Sequence, residues 1–286
     1  MAEPQVARVA GPSATLLMDG ATREARIAPR LPDGPPVAGD RVEVREADGD
    51  LVIVGIRPRA TTLQRGDGSA GRPRVVVANA DLLLVVASVA EPPLRPRLVD
   101  RYLVAAWAGG LEPALVLTKV DKAHDPGEVA DAVDRYRALG YPVLVGSAKD
   151  PALVAEVREL IGDRVAALAG HSGVGKSTLT RGLTGVERAV GSVSRKAGKG
   201  RHTTTDPRLI PIPGGGAVVD TAGVRTFHLP RLTPEELEAG FPEIAAAAPD
   251  CRFRGCRHSA EPGCAVVERV SPERLESYRR LLADMT

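Results

Sequence analysis

Aromatic side chains make up only 3% of this chain, too few for a protein that grips single strands by stacking base after base. Cysteine is nearly absent as well: there are three, all between positions 251 and 264, an odd and clustered set that argues for a metal site and against a disulfide framework. No apolar run approaches the roughly 20 residues of a membrane-spanning helix, and Met1-Ala2-Glu3-Pro4 lacks the positive start of a secretion signal. The formal net charge is only +2, so any nucleic-acid surface has to be a local patch. Internal repeats and low-complexity tracts are missing too. The expectation is a soluble, cytoplasmic monomer without membrane association.

What is present suits two or three domains, since 286 residues with 43% apolar content exceed one ordinary compact unit. Short, partly alternating apolar runs at 6–9, 14–18, 24–27, 41–44 and 51–56 are separated by turn formers such as Gly11-Pro12 and Asp48-Gly49-Asp50. Five short strands in some sixty residues predict a small β-barrel, with an OB-fold the favoured version, over 1–65. The polar, glycine-containing stretch 66–73 reads as a linker. From 74 to 229 the pattern changes to strands alternating with helices. Near-continuous apolar runs at 82–86, 114–117, 143–145, 165–168 and 217–219 match buried parallel strands. Amphipathic stretches at 98–108, 127–139, 153–161 and 176–183 lie between them, which predicts a doubly wound α/β sheet. From 230 to 286 the text turns helical around the cysteine cluster. Thr233-Pro234-Glu235-Glu236 reads there as a helix start, and a last helix is expected over 272–283.

The chemistry-bearing motifs fall inside the α/β region. Gly170, His171, Ser172, Gly173, Val174, Gly175, Lys176 and Ser177, followed by Thr178, match the phosphate-loop pattern in full. Glycines let successive backbone N–H groups wrap phosphates, the helix that follows adds its positive end, Lys176 can reach the β- and γ-phosphates, and Ser177 can bind Mg²⁺. Thr118, Lys119, Val120 and Asp121 form a base-recognition signature. The Asp121 carboxylate offers two acceptors to the two adjacent donors of guanine. Lys119 would lie along the base, and Ser147, Ala148 and Lys149 would meet its carbonyl oxygen. Thr118 stands where asparagine is more usual. Asp220-Thr221-Ala222-Gly223 follows an apolar strand, so Asp220 is expected to hold Mg²⁺ through water and Gly223 to sense the γ-phosphate. Among Thr203, Thr204 and Thr205, Thr204 is favoured to complete the Mg²⁺ shell. Val224 occupies the place of a water-orienting glutamine in many GTPases and cannot do that work. His202 is therefore the candidate to position the attacking water.

The order of these motifs is unusual. An ordinary P-loop GTPase starts with its phosphate loop and ends with its base loops, whereas here the base loops come first. One domain has been circularly permuted. Downstream, Cys251, Cys256, His258 and Cys264 supply three thiolates and an imidazole, a complete set for one structural Zn²⁺ with no position left for catalysis. Arg252, Arg254 and Arg257 sit among these ligands, placed either to contact phosphates or to be solvated. Arg188, Arg195, Lys196, Lys199, Arg201 and Arg208, with Gly191, Gly198 and Gly200, read as a basic, mobile loop.

With these pieces laid out, the chain resembles the ribosome small-subunit-dependent GTPase A family (RsgA, also called YjeQ) along essentially its whole length. Besides the phosphate loop, the matching text is Gly-Arg-His-Thr-Thr-Thr at 200–205, the cysteine and histidine set, and Glu-Pro-Gly-Cys-Ala-Val at 261–266. Val-Ala-Asn-Ala-Asp at 77–81 and Asp-Arg-Tyr-Leu at 100–103 match as well. The resemblance implies an OB-fold, a permuted GTPase domain and a zinc domain in that order. It also implies a late maturation factor that binds the small (30S) ribosomal subunit and its rRNA and hydrolyses GTP to GDP and phosphate under stimulation by the subunit. Two other readings compete: an RNA-binding scaffold whose nucleotide is mainly structural, and a permuted GTPase of large-subunit assembly. The C-terminal zinc set and β-rich N-terminus argue against the latter, and Asp121 argues against an ATPase.

Overall fold

In the computed structural model, residues 3–47, 49–65, 74–186, 207–221, 229 and 232–285 are described. The N-terminal part holds β1 (Gln5–Ala10), β2 (Ser13–Met18), β3 (Ala21–Ile27), β4 (Val42–Ala47) and β5 (Asp50–Ile56). They pair in the order β1-β2-β3-β5-β4. A bridge between Gln5 and Arg41 brings β1 against the start of β4, which curls the sheet into the five-stranded barrel of an OB-fold. Its interior is Val6, Ala14, Leu16, Ala25, Val42, Leu51 and Ile53. Alternate residues of β2 face this core, as the two-residue period of a half-buried strand requires.

A hairpin follows, β6 (Thr62–Arg65) pairing antiparallel with β7 (Arg74–Ala78) across the expected linker 66–73, which lies outside the described residues. Leu63 on β6 is buried in the same cluster as Val77, Tyr102 and Leu111. The main sheet comprises β8 (Leu82–Ser88), β9 (Glu112–Thr118), β10 (Val143–Val145), β11 (Val165–Ala169), β12 (Arg208–Pro211) and β13 (Ala217–Asp220). Their order is β10-β9-β8-β11-β13-β12, parallel throughout except for β12. Helices α1 (Pro96–Ala108), α2 (Pro126–Ala138), α3 (Pro151–Ile161) and α4 (Lys176–Thr184) cover it. Leu83, Val85, Leu115 and Leu117 face α1 and α2 in one core, while Leu82, Leu84, Val86 and Leu168 face α3 and α4 in another. Both sides of β8 are therefore buried, which is why its sequence is apolar without alternation. The chain runs outward from β8 to β9 and β10; on the other side it passes from β11 to the edge strand β12 and returns as β13 between them. The crevice where direction switches lies at the carboxyl ends of β8 and β11, the usual ligand position in such sheets.

The barrel docks beside β7. Ala38 bridges Val77, the Ala78 N–H donates to the Ala38 carbonyl at 3.0 Å, and Asn79 Nδ2 donates to the Gly39 carbonyl at 3.0 Å. Asp40, fully buried, takes a two-pronged contact from the Arg59 guanidinium at 2.7 and 2.8 Å.

The C-terminal part packs α5 (Pro234–Ala239), α6 (Pro242–Ala247), α7 (Ala265–Arg269) and α8 (Pro272–Ala283) around Leu237, Phe241, Ile244, Val266, Leu275, Tyr278 and Leu281. Thr233 and Glu236 cap α5 reciprocally, at 3.2 and 2.7 Å, which meets the expected helix start. Val104 of α1 belongs to this same core. Beside it the buried Arg274 of α8 contacts Asp100 of α1, reaches Glu243 of α6 at 2.5 Å and lies 4.5 Å from the Phe241 ring centroid. Helix α1 is thus shared by the sheet and the C-terminal core. Among the described residues no helix is long and apolar enough to cross a membrane.

Candidate nucleotide site and metal centre

The glycine-rich loop joins β11 to α4 at the switch-point crevice. Two of its glycines are sterically required. Gly170 has φ 148°, and a Cβ there would sit 2.1 Å from the Val86 carbonyl oxygen. Gly175 has φ 104°, and a Cβ there would press to 3.2 Å from the Ala148 methyl. Val174 between them is buried and anchors the loop, while Ser172, Gly173 and Ser177 are exposed and Thr178 is half-buried. His171 Nδ1 lies 2.9 Å from the Ser172 carbonyl oxygen. Lys176 folds back along the loop and donates to the carbonyls of Gly170 at 2.7 Å and His171 at 2.8 Å. Burial lowers its pKa, with the carboxylate of Asp220 opposing that shift. The first turn of α4 carries no acid, so the positive end of the helix is left uncompensated at the loop.

The base-recognition signature meets this loop directly. Thr118 ends β9, is fully buried, and its hydroxyl donates to the Val174 carbonyl at 2.6 Å, with the Ala87 carbonyl at 3.3 Å. The residue that departs from the usual motif thereby ties the base side of the crevice to the phosphate loop. Lys119 takes a left-handed φ of 61° and donates to the Glu91 carbonyl. Asp121 is exposed in the short 3-10 turn Val120–Lys122. Ala148 is buried against the Gly175 position, flanked by half-buried Ser147 and exposed Lys149, whose N–H lies 3.5 Å from the Ser147 hydroxyl. Asp220 closes β13 fully buried, and the next residue, Thr221, donates its hydroxyl to the Leu168 carbonyl at 2.5 Å. Thr118, Ala148, Gly175, Lys176 and Asp220 therefore converge from four strand ends. His202, Thr203, Thr204, Thr205, Gly223 and Val224 lie outside the described residues, as does the basic loop apart from Arg208.

Two contacts to this site escape motif reading. Tyr102 of α1 hydrogen-bonds to the Gly170 backbone, and burial pushes its pKa up to about 12. Glu91 holds Lys119 by its carbonyl and Lys122 by its carboxylate at 2.6 Å. Neither residue belongs to a nucleotide motif; Asp-Arg-Tyr-Leu at 100–103 marked the position of Tyr102 without its task.

In the C-terminal part, the ligand atoms of Cys251, Cys256, His258 and Cys264 all lie within 4.8 Å of one another. Cys251 Sγ is 3.8 Å from Cys264 Sγ, and His258 Nδ1 is 3.7 Å from Cys251 Sγ and 3.4 Å from Cys264 Sγ. A tetrahedron with Zn–S bonds of about 2.3 Å has edges of about 3.8 Å, so this donor set fits a structural zinc. The other imidazole nitrogen, Nε2, faces the Glu238 carboxylate at 3.2 Å, the arrangement that orients a ligating histidine. Glu261 organises the loop between the last two ligands by accepting from the N–H groups of Arg257, Ser259 and Ala260 at 2.9, 2.8 and 3.1 Å. Those backbone donors, that of Arg257 foremost, hold its carboxyl at about 2. Sequence reading found the four donors; Glu-Pro-Gly-Cys-Ala-Val at 261–266 marked the position of Glu261 without its task, and Glu238 went unmarked.

Known proteins agree with this geometry. The protein family described as RsgA GTPase matches residues 56–230. The small ribosomal subunit biogenesis GTPase RsgA of Azotobacter vinelandii is 42% identical over 261 residues, 87% of this chain and 75% of that protein. The protein of the same name from Chlorobaculum tepidum is 42% identical over 260 residues, 85% of this chain and 83% of its own. Among solved structures, YjeQ from Thermotoga maritima superposes with a TM-score of 0.75 at 26% identity, covering 99% of this chain and 98% of that one. YloQ, a circularly permuted GTPase, gives 0.74 at 25%, covering 99% and 94%.

Proposed function

Because the chain belongs to the RsgA family of circularly permuted GTPases, we propose that it hydrolyses GTP as a biogenesis factor of the small ribosomal subunit. The observation that carries this reading is the Thr118 hydroxyl donating to the Val174 carbonyl. It fixes the base loops and the phosphate loop in one crevice, so a single nucleotide can span them. In this reading Lys176 leaves its two carbonyl partners for the β- and γ-phosphates, where its lowered pKa makes phosphate charge a favourable partner. Asp121 selects guanine, Lys119 lies along the base, and the Ser147-Ala148-Lys149 turn meets its carbonyl oxygen. Ser177, Thr204 and Asp220 would hold Mg²⁺, which would supply positive charge to offset that of the phosphates. Gly223 senses the γ-phosphate and His202 positions the attacking water. The Cys251, Cys256, His258 and Cys264 set holds one structural zinc. The protein acts as a soluble cytoplasmic monomer on the small subunit and its rRNA.

The test is GTP turnover measured alone, with purified small subunits and with purified large subunits, ATP serving as the base control. Turnover of GTP that rises with small subunits and not with large ones is the expected result. Tight GTP binding without multiple turnover would favour a scaffold with a structural nucleotide instead. Stimulation by large subunits would redirect the assignment to large-subunit assembly.

A further inference from the structure

We propose that the zinc loop carries a stacking site for one unpaired RNA base, formed by the ring of Phe253 and edged by Arg252, Arg254 and Arg257. The inference rests on the reading of the chain as a factor that meets rRNA, and it specifies a residue and a nucleotide chemistry for that encounter. Phe253 is 46% exposed, whereas Phe241 in the same C-terminal part is fully buried. The part of the ring that remains in water contributes nothing to the fold, since apolar area acts only when covered. Its neighbours fix what can cover it. Arg252 lies with its guanidinium 5.5 Å from the ring centroid, and Arg254 and Arg257 are exposed close by in sequence. Among the described residues none of these three arginines makes an ion pair. The only acid between Cys251 and Cys264 is Glu261, and its oxygens are engaged by backbone N–H groups. Asp250, just outside, is paired with Arg269 at 2.5 Å.

An aromatic ring with one guanidinium over it and two more exposed beside it is the pairing that a nucleotide satisfies: the base lies on the open face of the ring and its phosphates meet the arginines. An apolar protein pocket would have to desolvate those charges without repaying them. The platform is held in advance. Residues 252–255 run between two metal ligands, and the Arg252 N–H donates to the Gly263 carbonyl at 3.0 Å, so little freedom remains to be given up on binding. The low aromatic content of the chain sets the scale: a strand cannot be stacked base after base, but one base out of its helix can.

The experiment compares Phe253→Ala, Phe253→Tyr and Phe253→Leu with the unaltered protein in binding to purified small subunits at several salt concentrations. Zinc content and GTP affinity serve as controls of folding. Removing one stacked base is expected to weaken binding by Phe253→Ala roughly 5- to 150-fold, without changing the slope of log affinity against log salt, because no charge is removed. Tyr should restore binding and Leu should not. Replacing Arg252, Arg254 or Arg257 by Gln should instead flatten the salt slope by roughly 0.7–0.9 for each phosphate that goes unneutralised. Binding by Phe253→Ala within twofold of the unaltered protein overturns the stacking site alone, and so does full rescue by Leu, which would mark a plain apolar contact. Failure of the unaltered protein to bind small subunits at all would overturn both the site and the functional reading beneath it.

Discussion

At position 118 a hydroxyl does what the motif needs from a side chain: it reaches the phosphate loop from a fully buried strand end. Thr118→Val keeps the shape and removes the donor, leaving the Val174 carbonyl without that bond. A buried polar group stranded in this way costs about 1–3 kcal/mol, so the variant should unfold at lower urea and bind GTP more weakly, as denaturation midpoints and nucleotide titration would record. His202→Ala should behave in the opposite sense, cutting subunit-stimulated turnover while leaving GTP affinity nearly intact, because a group that acts near the transition state contributes little to ground-state binding. Stimulated turnover within about threefold of the unaltered protein, under roughly 0.7 kcal/mol of barrier, would make His202 a bystander. The candidate metal cluster was legible because metal binding demands residue types at a spacing, and Cys251, Cys256, His258 and Cys264 do come together. The tasks of Tyr102, Glu91 and Glu238 were not legible, because each acts by touching a backbone or a side chain from a distant element, and nothing in local sequence records such a meeting.

Elements were readable in proportion to their burial. The strand expected at 82–86 is Leu82–Ser88 and the helix expected at 176–183 is Lys176–Thr184, since cores on both faces leave unbroken apolar runs and a glycine ends the helix. The strand expected at 24–27 begins earlier, at Ala21, where four residues in a row are exposed and carry no apolar signal. The hairpin Thr62–Arg65 with Arg74–Ala78 and the edge strand Arg208–Pro211 are too short for any period to show. In the C-terminal part, the four donors hold a loop that otherwise has little buried surface: Arg252, Phe253, Arg254, Gly255 and Arg257 are all exposed. Cys256→Ser should therefore release zinc and loosen residues 251–264, while the main sheet, with its own two cores, keeps its cooperative unfolding. Metal analysis of the purified variant, together with hydrogen exchange across both regions, would register the split. An unaltered protein that contained no zinc would refute it.

Over the whole molecule, α1 is the common member. Tyr102 meets the phosphate loop, Val104 enters the C-terminal core, and Asp100 pairs with Arg274 out of reach of solvent. Arg274→Ala would leave Asp100 buried, and Glu243 half-buried, beside no cation, a destabilisation of about 3–5 kcal/mol for a broken buried pair. Chemical denaturation should show the C-terminal helices separating from the sheet at lower denaturant, and a single unchanged transition would count against that view. The permuted strand order has a further consequence, for the chain as it is being made. Leu82 lies in register with Ala166, a partner 84 positions further along the chain, as Val165 is from Asp81. At about 5–20 residues per second, synthesis brings out the second strand roughly 4–17 s after the first. For that interval β8, buried along its whole length in the finished protein, has no neighbour on the side that β11 will fill. A message broken before codon 165 would release a chain with that apolar edge permanently open, ready to pair with another copy of itself.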